Sequence, residues 1–191
     1  MNLFRRRALS PLASPARFRE LYERSHPAVF RYIYGLTGGP QDDVEDLTAE
    51  TFLRAWKARH GFQGDEASAT GWLIRIAKRL VIDRYRRSVQ AIHNLPADPP
   101  AESTPEQTAV ADEQINFLYR LLGELPDEPR EILALRYLLG WRVNDIAEYM
   151  GATENSVSVT IHRTLSRLRV RWAESDTGHL AADFVPKENE S

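Results

Sequence analysis

Apolar positions recur along this chain at three- and four-residue intervals and do not alternate with polar ones over any long stretch, which predicts helices and no strands. Phe18, Leu21, Tyr22, Val29, Ile33 and Leu36 fall near the helical period. Pro15 suits the first turn of that helix, and Gly38-Gly39-Pro40 ends it. A second helix is predicted from about Asp42 to Ala58, with Val44, Leu47, Thr51 and Ala55 on one stripe. Gly61-Phe62-Gln63-Gly64-Asp65 reads as a loop, and a third helix from about Thr70 to Arg87 would bury Leu73, Ile76, Ala77, Leu80 and Tyr85.

Further along, Ile115 to Leu122 reads as a short amphipathic helix, and Leu125-Pro126 opens another that runs through Ile132, Leu133, Leu135 and Leu138 to Gly140. Asn144 can cap a helix carrying Ile146, Ala147 and Met150; Gly151-Ala152 makes a tight turn, and Thr153 caps the next helix, Glu154 to about Trp172. Two helices joined by a short Gly-containing turn form the helix-turn-helix pattern. Val157, Ile161, Leu165 and Leu168 give the second helix a buried stripe, opposite Asn155, Ser158, Val159, His162, Arg163 and Arg167.

The charge pattern separates these groups. Of 191 residues, 25 are Lys or Arg and 27 are Asp or Glu, a formal net charge of -2, so the total does not signal a polybasic nucleic-acid binder and only the distribution can. No Lys or Arg occurs from Ser88 to Gln114, where Asp98, Glu102, Glu106, Asp112 and Glu113 accumulate with four of the 11 prolines. Such a segment cannot build a core and reads as an acidic tether. The predicted fold is therefore all-α: two small helical domains joined by a flexible acidic linker, the C-terminal one a helix-turn-helix. The expected boundaries are a basic extension over 1–16, a first domain over 17–87, the linker over 88–111, the second domain over 112–174 and a short tail over 175–191. With 0 Cys, disulfides and thiolate chemistry are excluded, and no apolar run is long enough for a membrane span.

Enzyme chemistry finds little support. The five His residues are scattered without metal-ligand spacing, and neither a GxxxxGK[ST] loop nor a GxSxG elbow is present. No catalytic residue, metal or cofactor is expected. Nucleic-acid binding fits better. Short polar side chains at the start of the last helix suit base edges, and the arginines beyond them suit phosphates, although a plain amphipathic helix with a solvated basic face has the same pattern. In the third helix Arg75, Lys78, Arg79 and Arg86 share a broad face beside Trp72 and the loop holding Phe62 and Asp65, a combination that suits single-stranded DNA but equally a core Trp with solubilising arginines. Asp46 and Glu50, at i and i+4, offer a basic partner two carboxylates, or simply a solvated face.

In combination these segments resemble the extracytoplasmic-function (ECF) sigma factors of bacterial RNA polymerase. Asp43-Val44-Glu45-Asp46-Leu47-Thr48-Ala49-Glu50-Thr51-Phe52-Leu53-Arg54-Ala55-Trp56 resembles their polymerase-binding helix, and the segment from Gly71-Trp72-Leu73 to Tyr85-Arg86-Arg87 their promoter-melting helix. Leu125-Pro126, Arg130, Asp145-Ile146-Ala147 and Ser156-Val157 through Leu168-Arg169 are similar to their C-terminal helix-turn-helix domain. The resemblance implies a cytoplasmic, non-catalytic specificity subunit whose partners are core RNA polymerase, promoter DNA and an anti-sigma factor, with no membrane insertion. It assigns Asp46, Glu50 and Leu53 to the polymerase. Phe62, Asp65, Trp72, Arg75, Lys78, Arg79 and Arg86 fall to the minus-ten element, and Asn155, Ser158, Val159, His162, Arg163 and Arg167 to the minus-thirty-five element. The linker would thread toward the RNA exit path. The competing reading is a helix-turn-helix regulator that binds an operator as a homodimer without polymerase and has no use for Asp46 and Glu50.

Overall fold

The computed structural model describes residues 10–94 and 121–175, and all of their regular structure is helical. The basic residues 1–9, most of the linker, residues 112–120 of the expected second domain and tail residues 176–191 lie outside this range. Two compact units are formed, Met1–Trp141 and Arg142–Ser191.

The first unit is built on three helices, each packed on the other two: α1 (Pro15–Thr37), α2 (Gln41–Ala58) and α3 (Glu66–Asn94). Pro15 does start α1, and Gly38 ends it in the left-handed conformation (φ 56°), its N–H bonding the Tyr34 carbonyl at 2.8 Å. The predicted stripes form the core: Phe18, Leu21, Val29 and Ile33 from α1, Val44, Leu47, Thr51 and Ala55 from α2, Leu73, Ala77 and Leu80 from α3. Two expected core residues differ: Ile76 is only half-buried and Tyr85 is 70% exposed, while Ile74 is fully buried instead. α3 also runs through residues 88–94, which the proline-poor start of the tether permits; Pro96 is the first residue whose ring opposes helix.

After residues 121–123, which are helical, α4 (Asp127–Leu133) starts behind Pro126 and passes into a π-helical turn, Ala134–Leu138, where the Leu139 N–H bonds the Ala134 carbonyl at 3.2 Å. Both pieces pack on α1 and fall in the first unit, although the position of the acidic tether placed them with the helix-turn-helix. The second unit pairs α5 (Val143–Met150) with α6 (Glu154–Ser175). Asn144 does not cap α5. The helix starts two residues earlier, at Val143 behind Arg142, and Asp145 accepts a hydrogen bond from the Arg142 N–H at 3.2 Å, so Asn144 is left in the first turn. Thr153 does cap α6: its hydroxyl accepts from the Ser156 N–H at 3.2 Å. Between the two helices Gly151 stands at φ 67°, a conformation that any side chain would strain.

Candidate polymerase and nucleic-acid interfaces

Three surfaces gather the residues singled out by sequence. The first lies between α2 and α3. Asp46, Leu47, Glu50, Leu53 and Arg54 from α2, with Leu80, Arg84 and Arg87 from α3, line an open groove of ≈ 880 Å³. Leu53 is 46% exposed, which leaves an apolar side chain open to a partner beside the two carboxylates. The Glu50 carboxylate accepts from the Arg54 guanidinium at 2.7 Å across one helical turn, a solvent-screened pair that is readily exchanged. Arg84 bonds Asp43 and so fastens the two walls of the groove together.

The second surface is the outer side of α3. Positions 72, 75, 79 and 86 lie within one arc of the helix, turned away from Leu73, Ala77 and Leu80. Arg75, Arg79 and Arg86 are exposed, and Trp72 and Lys78 half-buried. Phe62 does not present its ring to solvent. It is 8% exposed and packs on Trp72 with ring centroids 5.0 Å apart, so it supports the loop from within. Asp65 closes the loop. Its carboxylate accepts from both the N–H and the hydroxyl of Ser68, at 2.8 and 2.7 Å, capping the first turn of α3. The Ser68 bonds hold its carboxyl below the usual 3.8, so the capping form is the one present at neutral pH. Gly64 is needed where it stands, since a Cβ there would meet Phe62 Cζ at 2.6 Å and Ser68 Oγ at 2.2 Å.

The third surface is one side of α6. Val157 and Thr164 are buried against the α5 side, and Asn155, Ser158, Val159, His162, Arg163 and Arg167 are all exposed on the arc opposite. Ile161, Leu165 and Leu168 are only half-buried.

Sequence reasoning missed a polar cluster inside the first unit. Glu131 of α4 is buried; its Oε1 accepts from the Tyr32 hydroxyl at 2.8 Å and its Oε2 from Lys78 Nζ at 2.6 Å. Next to it, the Arg130 guanidinium donates to the carbonyls of Leu36, Leu122, Gly123 and Leu125. The one signal in the sequence was an acid on the apolar stripe that holds Leu135, because a carboxylate in such a position needs partners.

Comparison with known proteins agrees with this geometry. Residues 21–90 match the Sigma-70 region 2 family and residues 118–168 the Sigma-70 region 4 family. Over 167 residues the chain is 32% identical to the ECF RNA polymerase sigma factor SigL of Mycobacterium tuberculosis, covering 85% of this chain and 92% of that protein. It is 33% identical over 159 residues to the ECF RNA polymerase sigma factor BldN of Streptomyces coelicolor, covering 79% and 60% of the two chains. In fold it is similar to the sigma factor RpoE of Bartonella quintana, solved in complex with the anti-sigma factor NepR, with a TM-score of 0.62, 20% identity and coverage of 83% of this chain and 98% of that one. A region 2 match on the three-helix unit, a region 4 match carrying the helix-turn-helix and a near full-length relative place the chain in one family: it belongs to the ECF RNA polymerase sigma factors.

Proposed function

We propose that the chain directs promoter-specific initiation by dividing the work among these three surfaces. The observation that carries the assignment is that two open surfaces lie on different sides of one three-helix unit. In a groove between α2 and α3 the carboxylates of Asp46 and Glu50 flank the exposed Leu53, and on the outer arc of α3 Arg75, Arg79 and Arg86 are exposed beside Trp72. In the groove, Asp46 and Glu50 present carboxylates to arginines of core RNA polymerase and Leu53 supplies apolar contact. On the arc, Arg75, Lys78, Arg79 and Arg86 track the phosphates of the minus-ten element, while Trp72 and the loop ending at Asp65 frame an unstacked base. Phe62 stiffens that loop. Asn155, Ser158, Val159 and His162 face the base edges of the minus-thirty-five element in the major groove, with Arg163 and Arg167 on its phosphates. The working domains are those of the sequence, about 17–87 and 112–174, joined by the acidic linker. An anti-sigma factor is the further protein partner, as it is for the Bartonella relative. No helix among the described residues is long and apolar enough to cross a membrane.

Attachment to polymerase explains how a chain with net charge -2 can grip DNA. Few phosphates are neutralised by either lobe alone, so counterion release is small. Holding both lobes on one large partner makes their DNA contacts intramolecular and raises the effective concentration without new contacts. The assignment of α3 is tested by Arg75→Ala with Arg79→Ala in the holoenzyme. Permanganate reactivity of minus-ten thymines is expected to fall about tenfold with polymerase binding unchanged, since two phosphate contacts are lost. Unaltered melting would remove α3 from the minus-ten interface.

A further inference from the structure

Lys78 belongs to the cationic side of α3, yet in this structure its ammonium is already engaged. The Glu131 carboxylate takes it at 2.6 Å and is itself held by the Tyr32 hydroxyl at 2.8 Å, joining α3, α1 and α4 through residues 53 and 99 positions apart in sequence. The Glu131 side chain is 5% exposed and that of Lys78 37%. Beside the pair, Arg130 Nη1 donates to the Leu36 carbonyl at 2.9 Å, near the end of α1.

A second line of contact does not depend on charge. Gly35 on α1 is buried, and the atoms nearest to a Cβ built there all come from the π-helical turn: Leu138 Cδ1 at 2.5 Å, Ala134 Cβ at 3.6 Å and Leu138 Cγ at 3.9 Å. The missing side chain therefore lets this turn close onto α1. On α3, the Trp141 ring stands over Gly71, 3.6 Å from where a Cβ would be. Gly71, Arg75 and Lys78 follow one another at i, i+4 and i+7, a single helical stripe. Residues 127–141 thus lie along the edge of the same arc that the proposed function assigns to the minus-ten element.

We propose that this segment is an autoinhibitory clasp: in the free chain Glu131 occupies Lys78 and withholds it from nucleic acid, and engagement of promoter DNA requires the clasp to open. One ammonium cannot neutralise a buried carboxylate and a phosphate at the same time. The segment also has two allegiances. Its contacts place it with α1, whereas the region 4 match runs continuously over residues 118–168 and joins it to α5 and α6. A π-helical turn, a winding found mostly at functional sites, lies between the pair and the helix-turn-helix. The inference rests on the assignment of Lys78 to the minus-ten face.

The test uses the full-length chain without polymerase and a fluorescein-labelled oligothymidine at low salt, read by anisotropy. Glu131→Gln keeps the size of the side chain and an acceptor for Tyr32 but removes the charge. Gly35→Leu wedges the π-helical turn off α1 and leaves every charge in place. Each is expected to tighten binding about tenfold, the gain when a state populated at about a tenth becomes dominant. Adding Lys78→Met to either is expected to abolish the gain. Amide exchange over residues 131–138 should rise in both single variants, with thermal melts confirming that they fold. Unchanged affinity in a folded Glu131→Gln or Gly35→Leu protein, a gain that survives Lys78→Met, or unaltered exchange would overturn the clasp. Lys78→Met alone, assayed for promoter melting in the holoenzyme, separates the two questions: normal melting there removes Lys78 from the minus-ten interface, whereas the exchange result speaks only to the clasp.

Discussion

Replacing Asp46 and Glu50 together by lysine is expected to weaken binding to core RNA polymerase by at least about 100-fold and leave the fold intact. Both carboxylates line the groove between α2 and α3, and neither supports the core: Asp46 is exposed, and Glu50 pairs with Arg54, at side-chain exposures of 41% and 45%. An exposed pair of that kind contributes little to stability, so helix content and melting temperature should stay close to those of the parent chain. At an interface the balance differs. Disrupting one desolvated charge pair costs about 2–5 kcal/mol, and reversal adds repulsion between like charges, so two reversals exceed the tenfold per 1.4 kcal/mol that defines the expected loss. Anisotropy titration with labelled protein and purified core measures it. Retained binding would move the docking surface elsewhere.

Val157→Asp is expected to unfold the helix-turn-helix and leave the first unit folded. Val157 is 1% exposed and Ile146 on the facing helix is fully buried, and α5 and α6 pack on each other. A carboxylate placed there has no partner, and its burial costs several kcal/mol, more than so small a pair of helices can lose. Far-UV dichroism should lose the contribution of α5 and α6, while association with polymerase through the groove persists. Transcription from a promoter that depends on its minus-thirty-five element should then fall at least about 100-fold, because the second DNA contact no longer acts at high effective concentration. Full activity of this variant would separate the helix-turn-helix from promoter recognition.

What the amino-acid pattern disclosed was the part of the molecule governed by local rules. The apolar period of α1, α2 and α3 and the Gly38 and Gly151 turns depend on neighbours in sequence, and so does the Thr153 cap; all were legible in the sequence alone. So was the face of α6 that carries Asn155 to Arg167, because a stripe as regular as Val157, Ile161, Leu165 and Leu168 fixes the opposite side. The features that escaped depend on distant partners. Glu131 follows Asp127 and Glu128 at a helix start, and its place on the stripe of Leu135 does not say which partners it has; one of them, Tyr32, is 99 residues away. Gly35 looks like a weak point in a helix until Leu138 is seen against it. Phe62 sits between glycines, and nothing local indicates that its ring turns inward onto Trp72. Asn144 is a better cap by residue type than Arg142, but the Asp145 carboxylate satisfies the earlier N–H and moves the start of α5.

The central claim is that this chain gives core RNA polymerase a promoter preference. Run-off transcription with purified core on a sheared library of the source genome, with and without the protein, tests it most directly. New start sites that share paired upstream elements at a fixed spacing are expected, and they should vanish with the Asp46→Lys, Glu50→Lys variant. A chain that binds promoter duplex tightly without polymerase while adding no start sites in its presence would contradict the claim and favour an operator-binding regulator.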